Sequence, residues 1–357
     1  MDDASTALAE RFVNAGLATM ELFTVHLGLR HGLYRALHDL GRATPRDVAS
    51  AANVHPRYAR EWLEQQAVAG LIATVAVADD PYATTYELPA AHGPVLLDED
   101  SPYFTAPMAR FMAGIAGTLP ALESAFRTGD GVPYAAYGAD TREAIAGLNR
   151  PMYRADLAKE WLAALPDVQA RLAAGDGRVL DLGCGEGWSS IALAEAFPDV
   201  RVDGVDLDEP SLVRARRHAM RAGVADRVTF TTADASAASP GAYDLICVFE
   251  ALHDMADPVA VLSTARTRLA DGGTVLIADE KVAETFTAPG DDVERLNYAF
   301  SVLHCLPATR AEGAVEEAGT VLRPHVVRRY AERAGFTSVE VLPVAHDFLR
   351  FYRLGAR

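Results

Sequence analysis

Across 357 residues, 33 Lys and Arg stand against 49 Asp and Glu, and the net charge of −16 disfavours a nucleic-acid polyanion, whose phosphates call for a surplus of cations. The length exceeds one ordinary domain, no uninterrupted apolar run is long enough to span a bilayer, and the acidic start Met1-Asp2-Asp3-Ala4-Ser5 predicts no leader peptide. Three widely spaced cysteines, Cys184, Cys247 and Cys305, suit a reducing compartment without disulfides, so a cytoplasmic protein is expected.

In chain order, residues 5 to 40 are expected to be helical, with Leu8, Phe12, Leu22, Phe23, Leu29, Leu33, Tyr34 and Leu37 forming an apolar face and Gly41 a stop. Thr44-Pro45 caps a short helix to Ala52, and Pro56 opens another through Val68. Leu71 to Val77 and Tyr82 to Leu88, joined by Asp79-Asp80-Pro81, form a hairpin. Helix, helix, hairpin describes a winged helix over residues 1–100. Residues 1 to 94 hold seven arginines, no lysine and eleven acids, and the helix that would meet DNA pairs Arg57 and Arg60 with Glu61 and Glu64. That balance argues for a role other than DNA binding.

A connector is expected over 101–170, helical from Phe104 to Phe126 and from Ala155 to Leu165, with turns at Thr128 to Tyr134 and Gly138-Ala139-Asp140. Asn149 to Arg154 precede the next domain, and Tyr153 is a candidate for contact with a substrate.

The densest signal follows, in the domain expected over 171–357. Val179-Leu180-Asp181-Leu182-Gly183-Cys184-Gly185-Glu186-Gly187-Trp188 runs an apolar strand into an acid and three alternating glycines, which permit a tight turn close to a ligand. A dinucleotide fingerprint needs glycine where Trp188 stands, so pyrophosphate binding is disfavoured. A second strand ends at Asp206-Leu207, placed for ribose hydroxyls, and a third at Asp234-Ala235, placed for an adenine amine. Tyr243 to Glu250 is a fourth strand. Three acids at consecutive strand ends line one crevice.

This set resembles the class I S-adenosylmethionine-dependent methyltransferases. The resemblance implies a Rossmann-like α/β fold with a seven-stranded sheet whose last strand is antiparallel, preceded by an α-helical winged-helix domain. It implies cofactor contacts from Asp181, Gly183, Cys184, Gly185, Asp206, Leu207, Asp234, Ala235 and Glu250. Together with the N-terminal pattern it extends to the plant and bacterial O-methyltransferases, which act on small molecules and pair their N-terminal domains as homodimers.

The chemistry is expected in Glu250-Ala251-Leu252-His253-Asp254-Met255, a loop at the sheet's carboxyl edge ended by the Asp257-Pro258 helix cap. In the O-methyltransferases a His-Asp pair occupies this loop and the histidine is the general base; the tryptophan that usually follows is Met255 here. His253 and Asp254 are therefore the candidate catalytic residues. A histidine titrating near neutrality suits deprotonation of a phenol or enol.

Asn297 to Cys305 reads as a helix after the fifth strand, Thr274 to Asp279, and brings His304 toward the same edge. His253, Asp254 and His304 would then offer iron or zinc two imidazoles and a carboxylate. This is the ligand set of a metal-dependent branch of the family that C-methylates α-keto acids. A cofactor-sensing regulator without turnover is the remaining alternative. Residues 281 to 323 form an insertion, with Glu280, Asn297, Tyr298 and His304 as acceptor-side candidates. Pro324 to Ala334 is a helix, and Val339 to Val344 with Phe348 to Tyr352 close the sheet.

Overall fold

The computed structural model describes residues 3–237 and 241–355. It comprises two compact units, Met1–Ala116 with Ala139–Pro151, and Gly117–Gly138 with Met152–Arg357. The expected connector is thus divided between them.

In the first unit, α1 spans Asp3–Arg30 and α2 Leu33–Leu40. The expected single helix breaks at Gly32, whose φ of 66° lies in the left-handed region. The expected apolar face is buried only toward its end. Val25, Leu33, Tyr34 and Leu37 enter the core, whereas Leu8, Phe12, Val13, Leu17 and Met20 are exposed. Helix α1 is long and apolar enough, by length and composition alone, to cross a membrane, although Glu10, Arg11 and Glu21 interrupt it. Helix α3 (Pro45–Ala52) opens with a capping box in which the Thr44 and Asp47 side chains each bond the other's backbone N–H. Helix α4 (Pro56–Val68) packs Trp62 against Gly28 of α1, where any Cβ would come within 2.5 Å of the indole. The wing is the antiparallel pair β1 (Ala73–Ala76) and β2 (Thr85–Glu87).

Past the short α5 (Gly93–Leu96) and the long α6 (Pro107–Thr128), the expected turn at Gly138-Ala139-Asp140 is instead the start of α7 (Gly138–Met152). Gly138, at φ 75°, ends the preceding 3-10 turn and Asp140 supplies the acidic first turn of the helix. The chain continues as a π-helix over Tyr153–Trp161, so Asn149 to Arg154 are helical.

In the second unit, after α8 (Pro166–Ala173), come β3 (Arg178–Leu182), α9 (Trp188–Ala196), β4 (Arg201–Asp206), α10 (Glu209–Ala222), β5 (Val228–Thr232), β6 (Tyr243–Phe249), α11 (Pro258–Arg268) and β7 (Leu269–Glu280). Helices α12 (Asp292–Phe300), α13 (Leu306–Ala311) and α14 (Pro324–Arg333) precede β8 (Ser338–Val341) and β9 (Leu349–Gly355). The sheet order is β5-β4-β3-β6-β7-β9-β8, with β9 antiparallel to β7. The seven strands and the antiparallel last strand match the expected fold class.

Strands β3 and β6 are buried along nearly their whole length, as befits a parallel sheet covered on both faces. The chain reverses its winding between β3 and β6, which pair directly although β4 and β5 lie between them in sequence. An open α/β sheet holds ligands at such a switch point, outside the carboxyl ends of its strands.

Candidate active site

The three glycines after β3 do different work. At Gly183 (φ 75°) a Cβ would meet Ala251 at 2.6 Å, and at Gly187 (φ 80°) it would meet Phe230 at 2.6 Å, so packing demands both. Gly185 (φ 52°) faces open space. Its N–H donates to Asp206 Oδ2 at 2.8 Å. The other Asp206 oxygen accepts the Asp208 N–H at 2.8 Å. Each carboxylate oxygen keeps a further lone pair for a hydroxyl donor. Burial raises the Asp206 pKa above the ordinary range, opposed by these backbone bonds.

Asp181 is almost fully buried, and one of its oxygens accepts hydroxyl bonds from Ser189 and Ser190, both at 2.6 Å. It ties the end of β3 to the start of α9 and so fixes the glycine turn. Cys184 is buried, and burial pushes its thiol well up. Leu207 is exposed. Asp234 is exposed and accepts the Ser236 N–H at 2.7 Å, which closes the turn containing Ala235. Glu250 sits at the end of β6 with φ 48°, an uncommon conformation for a side-chain-bearing residue, and its N–H donates to Ala278 O at 2.7 Å.

The other half of the edge is built from side-chain charge. His253, in the 3-10 turn Leu252–Asp254, is 3% exposed. Its Nδ1 lies 3.0 Å from Asp279 Oδ1 and 3.0 Å from Glu280 Oε2, while Nε2 faces Asp254 Oδ1 at 3.4 Å. Burial alone would depress the imidazole pKa, but Asp254, Glu280 and Asp279 outweigh it and hold the group well above the usual histidine value. Asp279 is buried, yet its contact with His253 keeps it below the ordinary carboxylate value; burial beside Asp279 pushes Glu280 up. The acid that orients the imidazole thus comes from the strand next door, 26 residues away in sequence.

The insertion docks on this turn. Val315 N–H donates to Ala256 O at 2.8 Å, and Thr309 Oγ1 lies 3.5 Å from Asp254 O. Its spine is Arg323, which donates to Thr285 O at 2.9 Å, to Glu294 at 2.6 Å, to the Tyr298 hydroxyl at 3.2 Å and to Ala283 O. The Tyr298 phenol is therefore engaged in the insertion's own framework. Asn297 is buried. Tyr153 is buried in the core, its ring 5.7 Å from Trp161 and 6.0 Å from Phe249.

The expected ligand trio of His253, Asp254 and His304 is not assembled. The described residues instead gather His253, Asp254 and Cys305, and His253, Asp279 and Glu280, each with ligand atoms within 4.8 Å of one another. The cause is local. A π turn over Ser301–Cys305 replaces the expected α-helix and turns Cys305 toward the pair. The His304 ring packs edge-on to Tyr137 at 4.6 Å and Tyr134 at 5.6 Å, and burial lowers its pKa.

Three residues escaped the sequence reading as parts of the site. Asp279 carried a signal, since it is one more acid at a strand end. Cys305 was obscured by the π turn, and Glu312 carried no signal at all. Partial desolvation, with Asp254, Asp206 and Asp234 nearby, pushes Glu312 up to about 7.

Comparison with known proteins bears on the domains and the fold. Residues 174–319 match the "Methyltransferase domain" family model and residues 15–97 the "Rv2258c-like winged HTH domain" model. The chain is 36% identical over 127 residues to 27-O-demethylrifamycin SV methyltransferase of Amycolatopsis mediterranei, a stretch covering 35% of this chain and 46% of that protein, so under half of the relative is spanned. The mitomycin 7-O-methyltransferase MmcR superposes with a TM-score of 0.65 at 21% identity, covering 99% of each chain. PigF with SAH gives 0.71 at 18% identity, covering 97% of this chain and 98% of that one. At such identities these two structures speak to the fold. The chain therefore joins a region that matches a winged helix-turn-helix model to one that matches a methyltransferase-domain model.

Proposed function

We propose that the protein transfers a methyl group from S-adenosylmethionine to a hydroxyl of a small-molecule acceptor, with His253 as general base. The observation that carries this reading is the buried His253, whose Nδ1 is held by Asp279 and whose Nε2 lies on the opposite side, toward Asp254 and the insertion. An imidazole fixed in this way can take a proton at Nε2 while Asp279 stabilises the charge that develops.

The cofactor supplies a methyl group already activated on a sulfonium. The residues around it suit such a cation. Asp206, Asp234 and Glu250 stand at the ends of β4, β5 and β6, and Gly185 leaves the backbone bare between them. Asp206 would accept from the ribose hydroxyls, with Leu207 and the turn at Asp234-Ala235 bordering the base. Asp181 contributes at one remove, by fixing the glycine turn. A further positive charge beside three carboxylates lowers the proton affinity of His253, so cofactor binding moves the base toward the neutral form it needs.

Metal-assisted C-methylation of an α-keto acid is the weaker reading, because His304 does not join His253 and Asp254. Regulation through DNA is weaker too: on α4, Arg57 pairs with Glu61, and Arg60 lies 3.2 Å from Glu64. The exposed apolar face of α1 from Leu8 to Met20 is instead suited to a second copy of the chain, and we place the homodimer contact there.

The experiment is calorimetric titration of the chain with S-adenosylmethionine and S-adenosylhomocysteine, followed by transfer from labelled cofactor to a panel of phenols and enols. Binding at one site per chain, with transfer that disappears in His253→Ala while binding persists, is the expected result. Absence of binding to either ligand would sink the reading.

A further inference from the structure

We propose that His253, Asp254 and Cys305 form a zinc-class metal site which, when filled, switches the base off. His253, Asp254 and Cys305 offer ligand atoms within 4.8 Å of one another, and Nε2 is the imidazole nitrogen that faces Asp254, at 3.4 Å. Bonds of about 2.0–2.3 Å to a tetrahedral ion would set these atoms roughly 3.3–3.8 Å apart, so side-chain adjustments of about an ångström complete the site.

The surroundings are those of a metal-binding histidine. A ligating imidazole usually hands its second nitrogen to a carboxylate, and here Nδ1 is already 3.0 Å from Asp279. Asp254 Oδ1 is a buried atom without a hydrogen bond of good geometry, facing His253 Nε2 at 3.4 Å. The cluster sets Asp254, Asp279 and Glu280 against one imidazole, an excess of negative charge that a divalent cation offsets. Sulfur in the set selects zinc, cobalt or cadmium over magnesium or calcium.

Burial pushes the Cys305 thiol up to about 12, so the ion must displace that proton. The S–H and any proton on Nε2 leave to solvent as the sulfur–metal and nitrogen–metal bonds form. The same Nε2 lone pair is what a general base would use. Metal binding and proton abstraction are therefore mutually exclusive, and the inhibitory half of the inference rests on the base reading proposed above.

The test is titration of chelator-stripped, tag-free protein with Co(II), read by absorption, with Zn(II) as competitor. One equivalent should bring up a near-ultraviolet sulfur-to-cobalt band that Zn(II) abolishes. The band should survive in His304→Ala and vanish in Cys305→Ser, with Co(II) affinity falling at least ~10–100-fold, the loss typical of removing even an outer partner. Retained S-adenosylhomocysteine binding shows that the serine variant is folded; if it is not, Cys305→Ala and His253→Ala carry the same comparison. A missing band in the parent, a band that persists without Cys305, or one that depends on His304 overturns the site. With the band in place, methyl transfer indifferent to stoichiometric Zn(II) overturns the inhibition alone.

Discussion

The two halves of the sheet's carboxyl edge are made in different ways. On the β3–β4 side, Gly185 and Asp208 reach Asp206 through backbone N–H groups, and Ser189 and Ser190 reach Asp181 from the very next helix. On the β6–β7 side, His253 is fixed by Asp279 and Glu280 from another strand, and Cys305 of the insertion lies beside His253 and Asp254. The first half is held by backbone N–H and hydroxyl donors, mostly from within nine residues although Gly185 reaches Asp206 across 21; the second is built from charge and depends on a contact across 26 residues. Mutations should consequently affect binding on one side and chemistry on the other.

The most severe separation is expected from His253→Ala, which should lower kcat by about 10²–10⁴-fold while leaving the cofactor Kd nearly unchanged in calorimetry. A matching loss of cofactor affinity would erase the division between the halves. Next comes Asp206→Asn. Removing a charged acceptor worth about 1.5–3 kcal/mol per hydrogen bond should weaken cofactor binding roughly 10–100-fold, with kcat at saturation little altered.

Asp279→Asn sharpens the comparison through pH. Asp279 is one of the carboxylates that raise the His253 pKa, and the base acts only when neutral, so activity rises with pH through that pKa. Neutralising residue 279 lowers it, and the rising limb of the rate profile should move to lower pH. An unmoved limb would mean that another group is the base.

The smallest effect is expected from Glu312→Gln. A carboxylic acid whose pKa is pushed up to about 7 in the folded chain holds its proton more tightly there than when unfolded. It therefore costs stability progressively as pH rises from the ordinary glutamate range to about 7, and fully above that. The amide should raise Tm by a few degrees or less above about pH 8 and hardly at all below about pH 5. The opposite ordering would remove Glu312 from the neighbourhood of Asp206, Asp234 and Asp254.

Legibility in the sequence follows the same division. The glycine turn, Asp206 and Asp234 are set by contacts within a few residues or by a repeating strand-end pattern, and the fold class came with them. The Thr44 cap and the α3–α4 pair were equally local. What escaped depended on distance or on irregular helix geometry: Asp279 bonds across strands, Cys305 reaches the pair through a π turn, and α7 begins where turn residues cluster. The exposed half of α1 misled because its apolar spacing is that of a buried face.

Arg323 ties the insertion together. Its guanidinium holds Ala283, Thr285, Glu294 and Tyr298 at once, and separating it from Glu294 would strand a buried charge, which is far more costly than breaking an exposed bond. The insertion therefore cannot fray from one end. One buried cation thus makes a 40-residue stretch of irregular chain and short helices behave as a single piece.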